Sequence, residues 1–287
     1  MGVARPTFER RQLGLTLRRL RDQAGKPQQV AADLLEKTRT RIVQLEDGTA
    51  TVSQEELVKL LDCYGVTGDE RVTVLELGAQ ARRRQKRRVH VDHLPDAYQR
   101  FADLEASASE INWFETGIIP GLLQSPSYMR AVFAECEGVW WDENDSQGHD
   151  RLAYRLERQT RLLESDERRI FRFVVTQDAL RANLGSPEVM EEQRSHLLAL
   201  LDAHRDLTVR VLPNDAYPNP ARGRGLWIFG FGDRAAPVGY SPAAHGPSAY
   251  HDDEADTSRM LRAFYRIWEQ SLSRSESRRA IEGIAKE

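Results

Sequence analysis

The sequence predicts a mainly α protein, α+β overall, in which a five-helix module over residues 1–90 precedes an α+β domain with a small sheet over residues 91–287. Three observations predict it. A chain of 287 residues has the length for two domains at roughly 100 to 200 residues each. Apolar residues recur at helical spacing through the first ninety positions, and strand-like runs enter only beyond residue 110. Charge also divides the chain. Residues 1–91 carry 18 Lys and Arg against 12 Asp and Glu, a net of +6, and the rest carries 23 against 32, a net of −9. A basic module concentrates a polyanion that an acidic one repels, so contact with nucleic acid belongs to the first part.

The elements of the first module follow in order. Leu13, Leu17 and Leu20 make an apolar stripe with Arg18, Arg19 and Arg21 around it, on a helix closed at Gly25. Pro27 suits the first turn of a short second helix whose small Ala31 and Ala32, with Leu35, can be buried. Thr38 is placed to cap a third helix, with Ile42 and Leu45 inward and Gly48 as its stop. Ser53 and Glu56 have the capping-box spacing ahead of Leu57, Leu60, Leu61 and Tyr64, and Gly65 ends that helix. A fifth helix is expected from Asp69 to about Arg88. Its last part holds the densest basic run, AQARRRQKRR over 79–88, which is either a solvated helix end or a phosphate contact.

Two short helices joined by a tight turn, the second exposing Arg39, Thr40, Arg41 and Gln44, have the dimensions and chemistry of a helix-turn-helix. A helix fits the major groove, where Arg makes two bonds to guanine and Gln two to adenine. The expected DNA-binding residues are therefore Thr38, Arg39, Thr40, Arg41 and Gln44, with Arg18 and Gln28 positioning phosphates.

The pattern Gly25-x-x-Gln28-x-x-x-Ala32, then Thr38-x-x-x-Ile42-x-x-x-Glu46-x-Gly48, then Leu61-Asp-Cys-Tyr64-Gly65-Val66, resembles the XRE or lambda-repressor-like helix-turn-helix. Further motifs are Ile119-Pro-Gly-Leu-Leu-Gln124, Tyr128, Arg155-x-x-Arg158-Gln159, Gln193, and a strand ending Val-Leu-Pro213. With these the resemblance extends, over about residues 10–285, to the actinobacterial WhiJ-like, antitoxin-like regulators. It implies a transcriptional regulator, often paired with a small partner protein, and a C-terminal domain of largely unassigned chemistry. The chain departs from that pattern at Glu36, where the turn often has Gly, and at Pro27 in place of a Ser or Thr cap. It departs again over Lys86 to His90, where Gly-Trp-Trp is usual, and at Gln177 in place of an acid after the central strand. Glu36 either takes a turn with negative φ or accepts strain.

Beyond Leu94 the expected elements are a helix from Pro95 with Tyr98, Phe101, Leu104 and Ile111 on one side, and an extended segment from Trp113 to Ile119. Ser125-Pro126 then opens a helix through Cys136, and a polar loop with Trp140 and Trp141 runs from Gly138 to Gly148. Helices over 151–163 and 187–203, strands over 169–176, 207–212 and 225–231, and two final helices complete the domain. The cluster Asp252, Asp253, Glu254 and Asp256 fits a helix N-terminus. Trp113, Glu115, Arg155, Arg158, Gln159 and Trp227 are the candidate set for a ligand or partner, because aromatic walls with a few polar groups suit recognition.

No zinc-like spacing, phosphate loop or G-x-S-x-G elbow occurs, so neither an enzyme nor a cofactor or metal is expected. Two distant cysteines, Cys63 and Cys136, fit buried thiols in a reducing cytoplasm, and no apolar run suggests a membrane span. The expectation is a cytoplasmic, homodimeric regulator of double-stranded DNA whose C-terminal domain binds a small-molecule effector or a small partner protein. The alternative is an antitoxin-like protein that neutralises its partner and regulates its own operon.

Overall fold

The computed structural model describes residues 7–83, 89–140, 148–243 and 246–284. The chain packs as two compact units. One comprises Met1–Ala108, Gly230–Val238 and Ala243–Asp256, and the other Ser109–Phe229, Gly239–Pro242 and Thr257–Glu287.

The first unit opens with α1 (Phe8–Gln23), α2 (Gln28–Leu34), α3 (Arg39–Glu46), α4 (Gln54–Tyr64) and α5 (Gly68–Arg82). Each start is written locally. Thr7, Thr38 and Ser53 accept the backbone N–H three residues on, and Glu56 returns the bond to the Ser53 N–H, completing a capping box. Leu13, Leu17, Leu20, Ala31, Ala32, Ile42, Leu45, Leu57, Leu60, Leu61, Val74 and Leu77 form one buried core. Each fully buried leucine in it contributes roughly 1.5–3 kcal/mol. Where α1 passes α3 the backbones nearly touch, and a Cβ on Gly14 would lie 2.5 Å from the carbonyl oxygens of both Leu45 and Glu46.

The turn between α2 and α3 takes the strained option. Glu36 has φ of 52°, in the left-handed region, because α2 ends in a Schellman arrangement: Lys37 N–H donates to Ala32 O at 2.9 Å and Glu36 N–H to Asp33 O at 3.1 Å. After α5 the unit continues with β1 (Val89–Val91), α6 (Ala97–Ser107) and, far along the chain, β7 (Ala249–His251). β1 and β7 pair antiparallel, His90 opposite Tyr250.

The second unit holds β2 (Glu110–Glu115), α7 (Pro126–Cys136), α8 (Gly148–Leu163), β3 (Ile170–Thr176), α9 (Gln177–Arg181), α10 (Pro187–Ala203), β4 (Leu207–Leu212), most of β5 (Leu226–Gly230), most of β6 (Val238–Ser241), most of α11 (Glu254–Gln270) and α12 (Arg274–Ile284). β2, β3 and β4 run parallel, with Glu115 opposite Val175 and Thr176 opposite Leu212, so their carboxyl ends lie at one edge. Val174 and Val175 are buried on both faces of β3, as a parallel strand requires. Among the described residues, seven strands follow the mixed order β1-β7-β6-β5-β2-β3-β4. The fold is thus mainly α, α+β overall, with helix-turn-helix helices at its N-terminal end.

Several expectations are corrected. The fifth helix ends at Arg82, because Arg83 is extended at φ −70° and ψ 143°; residues 84–88 of the basic run lie outside the described residues. Pro27 is the N-cap of α2 instead of its first-turn residue. The helix expected from Pro95 stops at Ser107, since Ala108 is extended and Ile111 joins β2 to pair with Phe171. β2 consequently begins earlier than Trp113 and ends before Ile119. Strands β1, β6 and β7 and helix α9 were not foreseen, having three to five residues each and little periodicity. Cys63 and Cys136 are free thiols but only half-buried. Trp141 and most of the polar loop, 141–147, lie outside the described residues.

Candidate functional site

α3 presents Arg39, Thr40, Arg41 and Gln44 to solvent, with Thr38 exposed at its cap. A buried carboxylate behind them fixes the helix. Glu46 accepts from Arg21 Nε at 2.6 Å and Nη2 at 3.1 Å, and from Gln28 Nε2 at 2.8 Å, while Arg18 Nε stands 3.4 Å away. The bond to Glu46 raises the Arg21 pKa above its ordinary value. Gln28 is half-buried, and its Oε1 accepts from Arg39 Nε at 3.3 Å, which ties α2 to the first turn of α3. Arg18 pairs with Asp47 at 2.7 Å, and Arg41 Nη2 donates to Thr51 O at 3.1 Å. Gln28, Arg39, Glu46, Arg18 and Asp47 thus share one network, while Thr40 and Gln44 project beside it.

Sequence reasoning missed Glu46 as the hub. The available signal was an acid in the last turn of α3 that could meet Arg18 and Arg21, three apart on α1. It also took Asp252 for a plain helix-terminus charge. Asp252 instead accepts the Phe8 N–H at 2.9 Å and bonds His90 Nε2 at 2.9 Å, while His90 Nδ1 meets Glu9. Burial alone would lower the His90 pKa, but the bonds to Asp252 and Glu9 outweigh it and raise the value to about 9. Phe8 packs against both the His90 and Tyr250 rings, and Arg11 lies 4.0 Å from the Phe231 ring centroid.

In the second unit the candidate recognition residues converge. Trp113 and Trp227 lie 3.9 Å apart between ring centroids, and their indole N–H groups donate to the same Glu115 Oε2 at 3.0 and 3.1 Å. Burial raises the Glu115 pKa, and the two indole bonds oppose that rise. Arg158 lies 5.8 Å from the Trp113 ring centroid. Arg155 and Gln159 point instead at the turn over 119–124. Arg155 Nη1 donates to Gln124 Oε1 at 3.2 Å over the Phe133 ring, and Gln159 Nε2 donates to Gly121 O and Gln124 O at 3.0 and 2.8 Å. Burial lowers the Arg155 pKa to about 10. Gln124, Tyr128 and Gln193 close on the same turn: Gln193 Nε2 donates to Leu123 O at 2.7 Å, and its Oε1 accepts the Ser125 N–H at 2.7 Å. The spaced motif residues of this domain therefore satisfy the backbone of one buried turn.

These features define a protein with a helix-turn-helix domain, the domain class of DNA-binding regulators, joined to an α+β domain. Residues 12–74 match the Helix-turn-helix domain family. Residues 98–283 match the Domain of unknown function (DUF5753), and the chain belongs to that family. Comparison with curated proteins gives no match. Among the described residues no helix is long and apolar enough to cross a membrane.

Proposed function

We propose that this protein is a cytoplasmic, homodimeric transcriptional regulator that reads an operator in double-stranded DNA through α3, in the manner of XRE or lambda-repressor-like proteins and of the WhiJ-like group. The observation that carries the reading is the solvent-facing row Arg39, Thr40, Arg41 and Gln44 on a helix held from behind by the buried Arg21–Glu46–Gln28 network. A recognition helix needs donors for base edges on a rigid mount. Arg18 and Gln28 serve the phosphates, Thr38 joins the DNA-facing row, and the dimer spans half-sites about one helical turn apart, on the order of 34–36 Å. The C-terminal domain binds an effector or a small partner protein without transforming it, and supplies the dimer contact.

The test is selection of bound fragments from genomic DNA, followed by fluorescence anisotropy with Arg39→Ala and Arg41→Ala. Each is expected to lose roughly 1–3 kcal/mol of operator affinity and to relax preference at one base pair. Unchanged affinity in both, with the helical content intact, refutes the assignment.

A further inference from the structure

The parallel strands β2, β3 and β4 end together, and their carboxyl ends open into a cleft of about 300 Å³. Ligands of parallel α/β sheets bind in this position, outside the carboxyl ends of the strands. The cleft is lined by Thr116, Thr176, Asp178, Leu212, Asn214 and Arg222, among others. It is separate from the Trp113–Glu115–Trp227 cluster, none of whose members line it.

Its chemistry is specific in sign. Asp178 and Arg222 are both exposed, and each is bonded to its own segment: Asp178 Oδ1 accepts the Ala179 N–H at 3.0 Å, and Arg222 Nη2 donates to Ala216 O at 2.8 Å. Among the described residues no ion pair joins them, so the cleft carries one carboxylate and one guanidinium that do not neutralise each other. A purely anionic ligand would meet Asp178, and a purely cationic one would meet Arg222, each as a like charge. A molecule with an ammonium at one end and a carboxylate at the other satisfies both, the carboxylate through the planar donor fork of Arg. Thr116, Thr176 and Asn214 add neutral hydrogen-bonding groups, while Leu212 and the neighbouring Pro213 supply an apolar wall. The volume is at the small end of ligand sites.

We infer that this cleft binds a small α-amino-acid-like zwitterion. The inference goes beyond DNA recognition and does not depend on it, because its readout is direct binding to the full-length protein with no DNA present. The experiment is calorimetric titration with the twenty common L-amino acids, each compared with its carboxamide, which lacks the carboxylate, and its N-acetyl form, which lacks the ammonium. myo-Inositol serves as the neutral polyol control. At least one amino acid is expected to bind, with both derivatives at least tenfold weaker. Asp178→Asn and Arg222→Ala, both at exposed positions, are each expected to weaken that amino acid at least tenfold. No binding of any amino acid at millimolar concentration overturns the inference. So does equal binding of a carboxamide, an N-acetyl form or myo-inositol, or binding that survives both substitutions. A failed operator selection alongside amino-acid binding would sink the regulator reading and leave this one standing.

Discussion

Glu36→Gly should make the first unit more stable, although it removes a side chain and introduces the most flexible residue. At φ of 52° an ordinary residue costs about 1–2 kcal/mol relative to the right-handed region, a cost glycine does not carry. Glycine's added freedom in the unfolded chain takes back about 0.4–1 kcal/mol. Glu36 is exposed, so its side chain offers little packing to lose. The net gain is about 1 kcal/mol. All five tryptophans lie in the sequence outside the segments of the first unit, which makes the assay selective. In urea titrations of the full chain, tryptophan fluorescence follows the second unit and should stay in place, while far-ultraviolet dichroism follows the helices of both units, and the part of its transition that fluorescence does not share should move to higher urea. Glu36→Ala keeps a Cβ in the left-handed region and should gain nothing. The reasoning is refuted if Glu36→Gly leaves the dichroism midpoint unchanged or lower, or if Glu36→Ala raises it equally.

Three further outcomes are expected. His90 has a folded-state pKa of about 9 against an ordinary 6.5, so its stabilisation is complete below about pH 6.5 and fades as pH rises through 9. That loss amounts to up to about 3 kcal/mol, and the pH dependence of the first unit's unfolding midpoint should flatten in His90→Asn. Gly14→Ala places a Cβ 2.5 Å from two backbone oxygens of α3, where no side chain can yield, and should cost about 1–3 kcal/mol; a wild-type midpoint would contradict the close approach. Glu115→Ala strips the shared acceptor from the Trp113 and Trp227 indoles, at about 1–3 kcal/mol for each N–H left unpaired. It should lower the tryptophan fluorescence transition, and an unmoved transition would refute the shared bond.

The helices that sequence reading placed best are those whose signals lie within three residues. Ser53 with Glu56, Thr38 at the start of α3, and the Ser125-Pro126 pair opening α7 all cap where their spacing says. The solvent face of α3 was legible for the same reason, since the periodicity that buries Ile42 and Leu45 fixes what points outward. Strands β1 and β7 were not legible, because three residues pair with three more that lie 160 positions later. The same distance hid the charged side of the site. Asp252 serves His90 from 162 residues away, and Trp227 finds Glu115 across 112, contacts that no local pattern encodes. At Glu36 the sequence left two turn geometries open, and the Schellman bonds at the end of α2 decided between them.

The discontinuity of the first unit bears on how the protein comes off the ribosome. Its five opening helices emerge early, but the residues that seat Phe8, His90 and Arg11, namely Tyr250, Asp252 and Phe231, belong to segments made more than a hundred residues later. At roughly 5–20 residues per second, the 148 residues between Ala108 and Asp256 take roughly 7–30 s to synthesise. During that interval Phe8 and His90 are without Tyr250 and Asp252, the partners that cover and bond them in the folded unit. A transcript cut short before codon 250 therefore yields a chain whose α1–α5 are made but whose Phe8 and His90 never meet Tyr250 and Asp252.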